Sequence, residues 1–319
     1  MKKNKCVLGI DVGATTVKLG LVKRNGRIFS KTSFSTKLFI KKRAFIAKII
    51  ETAKLLIKEN NLHNSDLAGI GIGVPGIVDY KNGIVYELTN IKGWKEITLG
   101  RILRSYFQVP VIVDNDANAF AMGQLAWGAA LGVKDAICVT LGSGVGGGII
   151  INGKIYRGSA SCAGEIGHIC IDANGPKCGC GRRGCLEAFV GNKYIVKRAK
   201  KYIKSKKRTI LINMAGGKLS RITPELITKA AKKKDLLAIE VLKETGSYLG
   251  VGLAGIVNVL NPKMLIIGGG VSKAGEFIFT SLIKQLNITA MKPHLKGLKI
   301  IRASFPDEAG IIGAAALVL

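Results

Sequence analysis

No apolar run in this sequence approaches the roughly 18 to 20 residues that a membrane-spanning helix needs, and the richest stretch, 250–260, fits a buried helix instead. Proline is scarce, at 7 of 319 residues, and aromatics make up 6%, while the apolar and charged fractions are ordinary, so disorder and fibrous repeats are disfavoured. Acidic residues are also few, 20 against 49 Lys and Arg, for a formal charge of +29. Such a charge points to nucleic acid or anionic membranes only where it gathers on one element. Here the lysines are scattered, and the densest stretches, 193–208 and 229–234, alternate with apolar residues at helical spacing, as a solvated helix face does. Aromatic interleaving and a binding motif are both missing. No specific nucleic-acid partner and no membrane partner are therefore expected, although a general attraction for anionic ligands is. The opening Met1-Lys2-Lys3-Asn4-Lys5 has the charge of an export signal, but Asp11 cuts the apolar stretch after it and no cleavage site follows. Seven cysteines, an odd number without such a signal, fit a reducing, cytoplasmic setting better than a disulfide framework.

What is present is enough chain for two domains of about 150 residues, with a cleft between two lobes. An apolar strand over 6–10 meets Asp11-Val12-Gly13-Ala14-Thr15-Thr16, and apolar residues resume at Val17, Leu19 and Leu21. Asn25-Gly26 reads as a hairpin turn with both residues at positive φ, leading to another strand. A helix is predicted over 44–60, a strand over 68–74 ending at Pro75-Gly76, a strand over 109–113 running into Asp114-Asn115-Asp116, and a helix over 117–130. A second hairpin repeats the plan of the first: a strand over 137–141, a glycine turn over 142–148, a strand over 149–151 and the turn Asn152-Gly153. The core is therefore read as duplicated. Helices over 236–260, 276–286 and 309–319, with a strand over 264–267 between the first two, complete an α/β fold of mixed sheets and flanking helices.

Three patterns carry chemistry. Two glycine turns bearing hydroxyls suggest a phosphate cradle, because backbone N–H groups without Cβ atoms in the way can approach anionic oxygens closely; the competing explanation is a tight turn that needs positive φ. Asp11 beside the first turn can orient Mg²⁺ or its waters, a hard cation that favours oxygen ligands. Cys178-Gly179-Cys180, Cys185 and His168 form a complete Cys₃His set for a structural zinc, whose thiols the intervening arginines can acidify. Asp116, opening a helix, is the candidate base, with Asn115 and Asn118 as hydrogen-bonding neighbours for a polyhydroxylated ligand; an N-cap role is the simpler alternative. Glu165 and Glu187 flank the zinc set as further buried-carboxylate candidates.

These segments together resemble the ROK family of sugar kinases and repressors, within the two-lobed, actin-like (ribonuclease H-like duplicated) fold group. The resemblance spans essentially the whole chain, through Ile10 to Lys18, Asn115 to Ala119, Leu141 to Gly148, Glu165 to His168, Cys178 to Glu187 and Asn261 to Gly270. It implies a small lobe of 1–116 with 305–319 and a larger lobe of 117–304 carrying the zinc loop. It implies ATP-dependent phosphorylation of a hexose at its 6-hydroxyl, glucose first, with N-acetylmannosamine, fructose, mannose or allose as alternatives. On this resemblance Asp116 takes the hydroxyl proton, and Gly76, Asn115, Asp116, Glu165, His168 and Glu187 bind the sugar. ATP is held by Asp11, Gly13, Thr15, Thr16, Lys18, Gly142, Ser143, Gly144, Gly146, Gly268, Gly269 and Gly270. His168 serves twice, with one ring nitrogen on zinc and the other towards the sugar. A homodimer or homotetramer is implied. Two positions depart from the family pattern: Ala14, where a second glycine is common, and Gln124, where a glutamate is frequent. The other reading, a sugar-responsive repressor, expects a helix-turn-helix domain ahead of the kinase-like fold; here the first strand starts by Cys6, which favours the kinase.

Overall fold

Strands carry almost continuous apolar runs where both faces of a sheet are covered, and the first such run becomes β1 (Cys6–Val12), buried along nearly its whole length. The computed structural model describes residues 5–39, 41–88, 94–205 and 208–319. The charged opening, Met1 to Asn4, and Lys206 and Lys207 of the basic stretch lie outside the described residues. After β1 come β2 (Thr16–Val22), β3 (Ile28–Ser35), β4 (Leu67–Val74), β5 (Ile77–Asp79), β6 (Ile84–Glu87), β7 (Lys95–Ile97) and β8 (Val111–Asn115). Then follow β9 (Ala136–Leu141), β10 (Val145–Ile151), β11 (Lys154–Tyr156), β12 (Met264–Gly268) and β13 (Lys299–Arg302).

Two five-stranded sheets have the orders β3-β2-β1-β4-β8 and β11-β10-β9-β12-β13, and β5-β6-β7 form a small third sheet. In the first, β2 runs antiparallel to β1 and β3, while β4 runs parallel to β1 and β8. In the second, β11 is antiparallel to β10 and β13 is parallel to β12. Each sheet thus opens with three strands consecutive in sequence and ends with two reached by longer connections, which is the expected duplication. The chain divides into two compact units, one made of the chain up to Cys138 with Gly148–Gly164 and Ala303–Leu319, the other of Val139–Gly147 and Glu165–Arg302.

The first sheet of the first unit is covered on one face by the helices Lys42–Glu59 and Leu99–Phe107, whose Phe45, Ile49, Leu56, Leu103 and Phe107 join Leu8, Ile10, Leu19 and Ile70 in one apolar core. The helix Ala309–Ala316 packs on β1 and β4, with Ile311 and Ala315 meeting Val7 and Val22. That helix lies backbone to backbone on the sheet. A Cβ at Gly71 would stand 1.8 Å from the Ala314 carbonyl oxygen, and one at Gly9 would stand 2.3 Å from that of Ile311.

The two Asn-Gly turns differ. Asn152 and Gly153 both have positive φ, 51° and 72°, as the tight hairpin turn requires. At the first turn Gly26 has φ 81° while Asn25 is not among the positive-φ residues. There the Gly26 N–H donates to the Lys23 carbonyl and the Lys23 N–H to that of Arg27, and the β2–β3 register shifts between Leu21 and Val22. The loop is one residue longer than expected, so only its last residue takes the left-handed conformation. The second glycine turn is also shorter than expected, because Gly146 to Gly148 are strand residues of β10. A Cβ at Gly148 would meet the Ala117 carbonyl oxygen at 2.8 Å, so this glycine admits the helix Asp116–Trp127 against the strand.

In the second unit the helix Leu236–Leu260 starts on Asp235, whose side chain accepts from the Ala238 N–H at 2.8 Å, and stops at the left-handed Asn261 before Pro262. The basic stretches fall on the helices Asn192–Lys204 and Pro224–Lys232, which bury Ile195, Ala199, Ile227, Ala230 and Ala231 and leave most of their lysines exposed. No helix among the described residues is long and apolar enough to cross a membrane.

Candidate active site

The strand β8 delivers Asp116 to the start of the helix Asp116–Trp127. The cap of that helix is Asn115, whose Oδ1 accepts from the N–H groups of Ala117 at 2.8 Å and Asn118 at 3.3 Å. Capping therefore does not account for Asp116. It is exposed, with Oδ1 accepting from the Ala117 N–H at 2.9 Å. The remaining polar group of Asn115, Nδ2, donates to the Gly76 carbonyl at 3.1 Å. Gly76 has φ 115°, and a Cβ there would lie 2.1 Å from the Glu87 carbonyl oxygen, so only glycine brings this loop so close to β6. Gly76, Asn115 and Asp116 are thus one assembly.

Asn118, expected to face a ligand, is 2% exposed and instead donates from Nδ2 to Asp114 Oδ1 at 3.0 Å. Its place one turn into the helix, pointing at the strand end, removes it from solvent. The residue that sequence reasoning passed over is Asp114 itself, 2% exposed and paired with Arg157 at 2.7 Å. A charged side chain closing an apolar strand was the available signal; its partner, distant in sequence, was not legible.

Asp11, at the end of β1, pairs in register with Lys18 across the first hairpin. Burial pushes the Asp11 carboxyl above the usual carboxylate range, and the Lys18 charge opposes that shift. The carboxylate lies against the start of the helix Ala309–Ala316, where a Cβ at Gly310 would come 2.1 Å from Oδ2. Gly13 donates its N–H to the Thr16 carbonyl at 3.0 Å, and the Ala14 carbonyl accepts from Thr36 Oγ1 at 2.8 Å. Neither Gly13 nor Ala14 has positive φ, so alanine stands in this turn without backbone strain.

Among the other glycines assigned to phosphate, only Gly269 has positive φ, at 86°, and a Cβ there would meet the Leu141 carbonyl oxygen at 2.3 Å. Gly142 and Gly270 have neither reason to be glycine: a Cβ on either would meet nothing within 4 Å. Ser143 is exposed between Gly142 and Gly144, Gly146 lies in β10, and Gly268 ends β12 buried. Open backbone at Gly142 and Gly270 is what close approach of an anionic oxygen requires.

In the second unit the ligand atoms of His168, Cys178, Cys180 and Cys185 all lie within 4.8 Å of one another. Cys178 Sγ is 3.8 Å from His168 Nδ1, and Cys180 Sγ is 3.7 Å from Cys185 Sγ. With zinc–sulfur bonds of about 2.3 Å a tetrahedron has edges of about 3.8 Å, so the four side chains fit that ion; a disulfide would need about 2.05 Å. Gly184, at φ 72°, is needed because a Cβ would fall 1.7 Å from the Asp172 carbonyl oxygen. The expected acidification is found at Cys180, where Arg182 acts through both its backbone and its side chain, but not at the other two thiols. A hydrogen bond from the Arg182 backbone is the chief cause lowering the Cys180 pKa, burial raises that of Cys178 and pushes Cys185 up to about 12, and Arg183 donates to the Gly175 carbonyl.

Two carboxylates adjoin this cluster, though neither is buried as expected. Glu187 is half-buried at the start of the short helix Glu187–Val190; Oε2 accepts from the Val145 N–H at 3.2 Å, and Oε1 lies 3.7 Å from Cys178 Sγ. Glu165, in an exposed turn with 57% of its side chain accessible, has Oε2 3.9 Å from His168 Nε2. His168 therefore presents Nδ1 to the thiols and Nε2 to Glu165.

Gln124 is fully buried, donates from Nε2 to the Ser304 carbonyl at 3.1 Å and accepts on Oε1 from the Ser304 N–H at 2.9 Å. An ionised glutamate could not supply that donor. The departure from the family pattern thus has its partner in the loop before the closing helix.

Gly142→Ala is expected to leave folding stability within about 0.5 kcal/mol of the parent, as open positions do, whereas Gly269→Ala is expected to cost about 1–3 kcal/mol through strain and overpacking. Urea unfolding of both variants checks this, and equal losses would contradict it.

The ROK family model matches residues 7–319. A glucokinase of Halalkalibacterium halodurans is 35% identical over 312 residues, covering 98% of this chain and 94% of the relative. A xylose repressor of Caldicellulosiruptor bescii is 32% identical, covering 98% of this chain and 78% of the relative. Among solved structures, a ROK family glucokinase from Streptomyces griseus in complex with glucose and AMPPNP superposes with a TM-score of 0.86 at 32% identity, covering 98% of each chain. With the duplicated sheets, the Asp116 turn and the Cys₃His cluster all in place, the chain belongs to the ROK family.

Proposed function

We propose that this protein is an ATP-dependent hexose kinase that phosphorylates the 6-hydroxyl of glucose. The observation that carries the reading is Asp116: an exposed carboxylate at a helix start whose capping is done by its neighbour Asn115. A group so placed can accept the proton of a hydroxyl as it attacks a phosphoryl group. Asn115, Gly76, Glu165, His168 and Glu187 are assigned to the sugar hydroxyls. The nucleotide is assigned to the first turn with Asp11, Gly13, Thr15, Thr16 and Lys18, and to Gly142, Ser143, Gly144, Gly146 and Gly268 to Gly270. The open backbone at Gly142 and Gly270 supports the second group.

Phosphoryl transfer needs positioning and charge stabilisation rather than covalent help from the protein. Mg²⁺, when bound, neutralises charge developing on the phosphate oxygens, and Asp11 is the residue assigned to orient it. His168, Cys178, Cys180 and Cys185 would hold a structural zinc, a role that the convergence of their ligand atoms within 4.8 Å supports. Zinc on Nδ1 would fix the ring so that Nε2 is left for a hydroxyl. Because Glu187 adjoins Cys178, and Glu165 adjoins His168, the same cluster would orient both carboxylates. The reading places the enzyme in the cytoplasm, in hexose metabolism, as a homodimer or homotetramer.

Turnover of a hexose panel with ATP and Mg²⁺ tests the reaction; glucose is expected to stimulate ADP release, and the absence of any stimulating hexose would refute it. Asp116→Asn is expected to lower kcat by about 10² to 10⁴ while calorimetric glucose affinity stays within about tenfold, since an amide still hydrogen-bonds. Wild-type turnover in that variant would remove Asp116 from the role of base.

For the metal, elemental analysis is expected to give one zinc per chain. Cys180→Ala should raise the glucose KM and lower thermal stability while nucleotide binding to the folded fraction changes little. Zinc-free protein with normal glucose affinity would contradict that role.

A further inference from the structure

The ion pair between Asp114 and Arg157 takes no part in the assignments above, yet it reaches the segments on both sides of Asp116. Asp114 Oδ2 accepts from Arg157 Nε at 2.9 Å and Nη2 at 2.7 Å. Its Oδ1 accepts from the Asn115 N–H at 2.7 Å and from Asn118 Nδ2 at 3.0 Å. One carboxylate oxygen thus ties the residue before Asp116 to a residue two beyond it, and the other is held by two N–H groups of a single guanidinium.

Arg157 is anchored in turn. Its guanidinium carbon lies 3.7 Å from the centroid of the Tyr80 ring. Tyr80 directly follows β5, the strand that leaves Gly76, and the Gly76 carbonyl accepts from Asn115 Nδ2. The Arg157 carbonyl accepts from the Ala163 N–H at 3.0 Å, closing the loop that leads towards Glu165. Arg157 therefore joins the Gly76 hairpin, the Asp116 turn and the 158–163 loop. Its own side chain is only 19% exposed.

A buried ion pair stabilises a fold little more than apolar residues of the same volume would, because desolvation consumes most of the Coulombic gain. What it supplies is direction. The planar fork of an arginine, with two N–H groups on one oxygen, fixes where that oxygen stands, which an ammonium on a flexible stem does not, and the two donors on Oδ1 then set the orientation of the carboxylate. We infer that Asp114 and Arg157 are positioning residues for Asp116, setting where its carboxylate stands for proton transfer. This rests on the kinase reading for its catalytic part only.

Arg157→Lys, which keeps the charge, and Arg157→Gln are the variants to compare with the parent. Three quantities are read: kcat and KM for glucose, the melting temperature, and hydrogen exchange of the amides across 114–118. Arg157→Lys is expected to lower kcat by about ten- to a hundredfold, as misplacement of a reacting group by up to about 1 Å does. It should also speed exchange at Ala117 and Asn118 while the ATP KM stays within about twofold. Arg157→Gln should do more of the same, and where it fails to fold Arg157→Lys decides. Unchanged exchange in a folded variant overturns the inference, as does a lowered melting temperature with kcat unchanged, which marks a role in stability alone. A parent protein that phosphorylates no hexose refutes the kinase reading and with it the catalytic part; the exchange measurement still decides whether the pair holds the turn.

Discussion

The geometry of the first unit depends on one constraint, the contact of the helix Ala309–Ala316 with the backbone of the sheet beneath it. Side chains normally stand between a helix and a sheet, and here Gly9 in β1 and Gly71 in β4 remove that spacer. The same helix carries Gly313, where a Cβ would stand 2.4 Å from the Ala119 carbonyl oxygen in the helix Asp116–Trp127. The closing helix therefore lies against the element that begins at Asp116 and against the strand that carries Asp11. Gln124, bonded to both backbone groups of Ser304, ties the approach to that helix. Asp11 and Asp116, the two carboxylates that the proposed reading assigns to the reaction, thus stand on elements held by close backbone contact.

The second unit brings its cysteine segment together by different means. Its segment over 165–187 contains little regular structure beyond single turns and two isolated bridges, Cys170 with Cys185 and Lys177 with Arg183. On the proposed reading a zinc held by His168, Cys178, Cys180 and Cys185 would stand in for a core here, and positive φ at Gly181 and Gly184 lets the chain fold round that point. Glu187 then connects the cluster to the glycine turn, through Cys178 on one oxygen and the Val145 N–H on the other. On the proposed reading, the sugar-binding and nucleotide-binding parts of this unit share a single side chain.

Much of this was legible in local chemistry. The helix Leu236–Leu260 has its observed ends because Asp235 caps one and Asn261-Pro262 stops the other, both short-range effects. The Cys₃His set was legible from residue type and spacing alone. What the sequence hid was set by partners distant along the chain. Asn118 is a local exception, chemically suited to a ligand but consumed by Asp114 one helical turn away; Gly148 looks like a phosphate-turn glycine, but Ala117 and Ala121 of the helix Asp116–Trp127 fill the space a side chain there would need. The ion pair of Asp114 with Arg157 was invisible for the same reason. Asn25-Gly26 and Asn152-Gly153 are identical dipeptides in different turns, because loop length and register, rather than the pair itself, decide the φ of the asparagine.

On the proposed reading Asp116 directs a sugar 6-hydroxyl at the γ-phosphate of ATP. Phosphorus and carbon NMR of the product formed from glucose, ATP and Mg²⁺ tests it most directly. The account requires a phosphomonoester on the 6-oxygen, formed in step with ADP. An ester on the anomeric oxygen, or ATP consumed with no sugar ester formed, would contradict it.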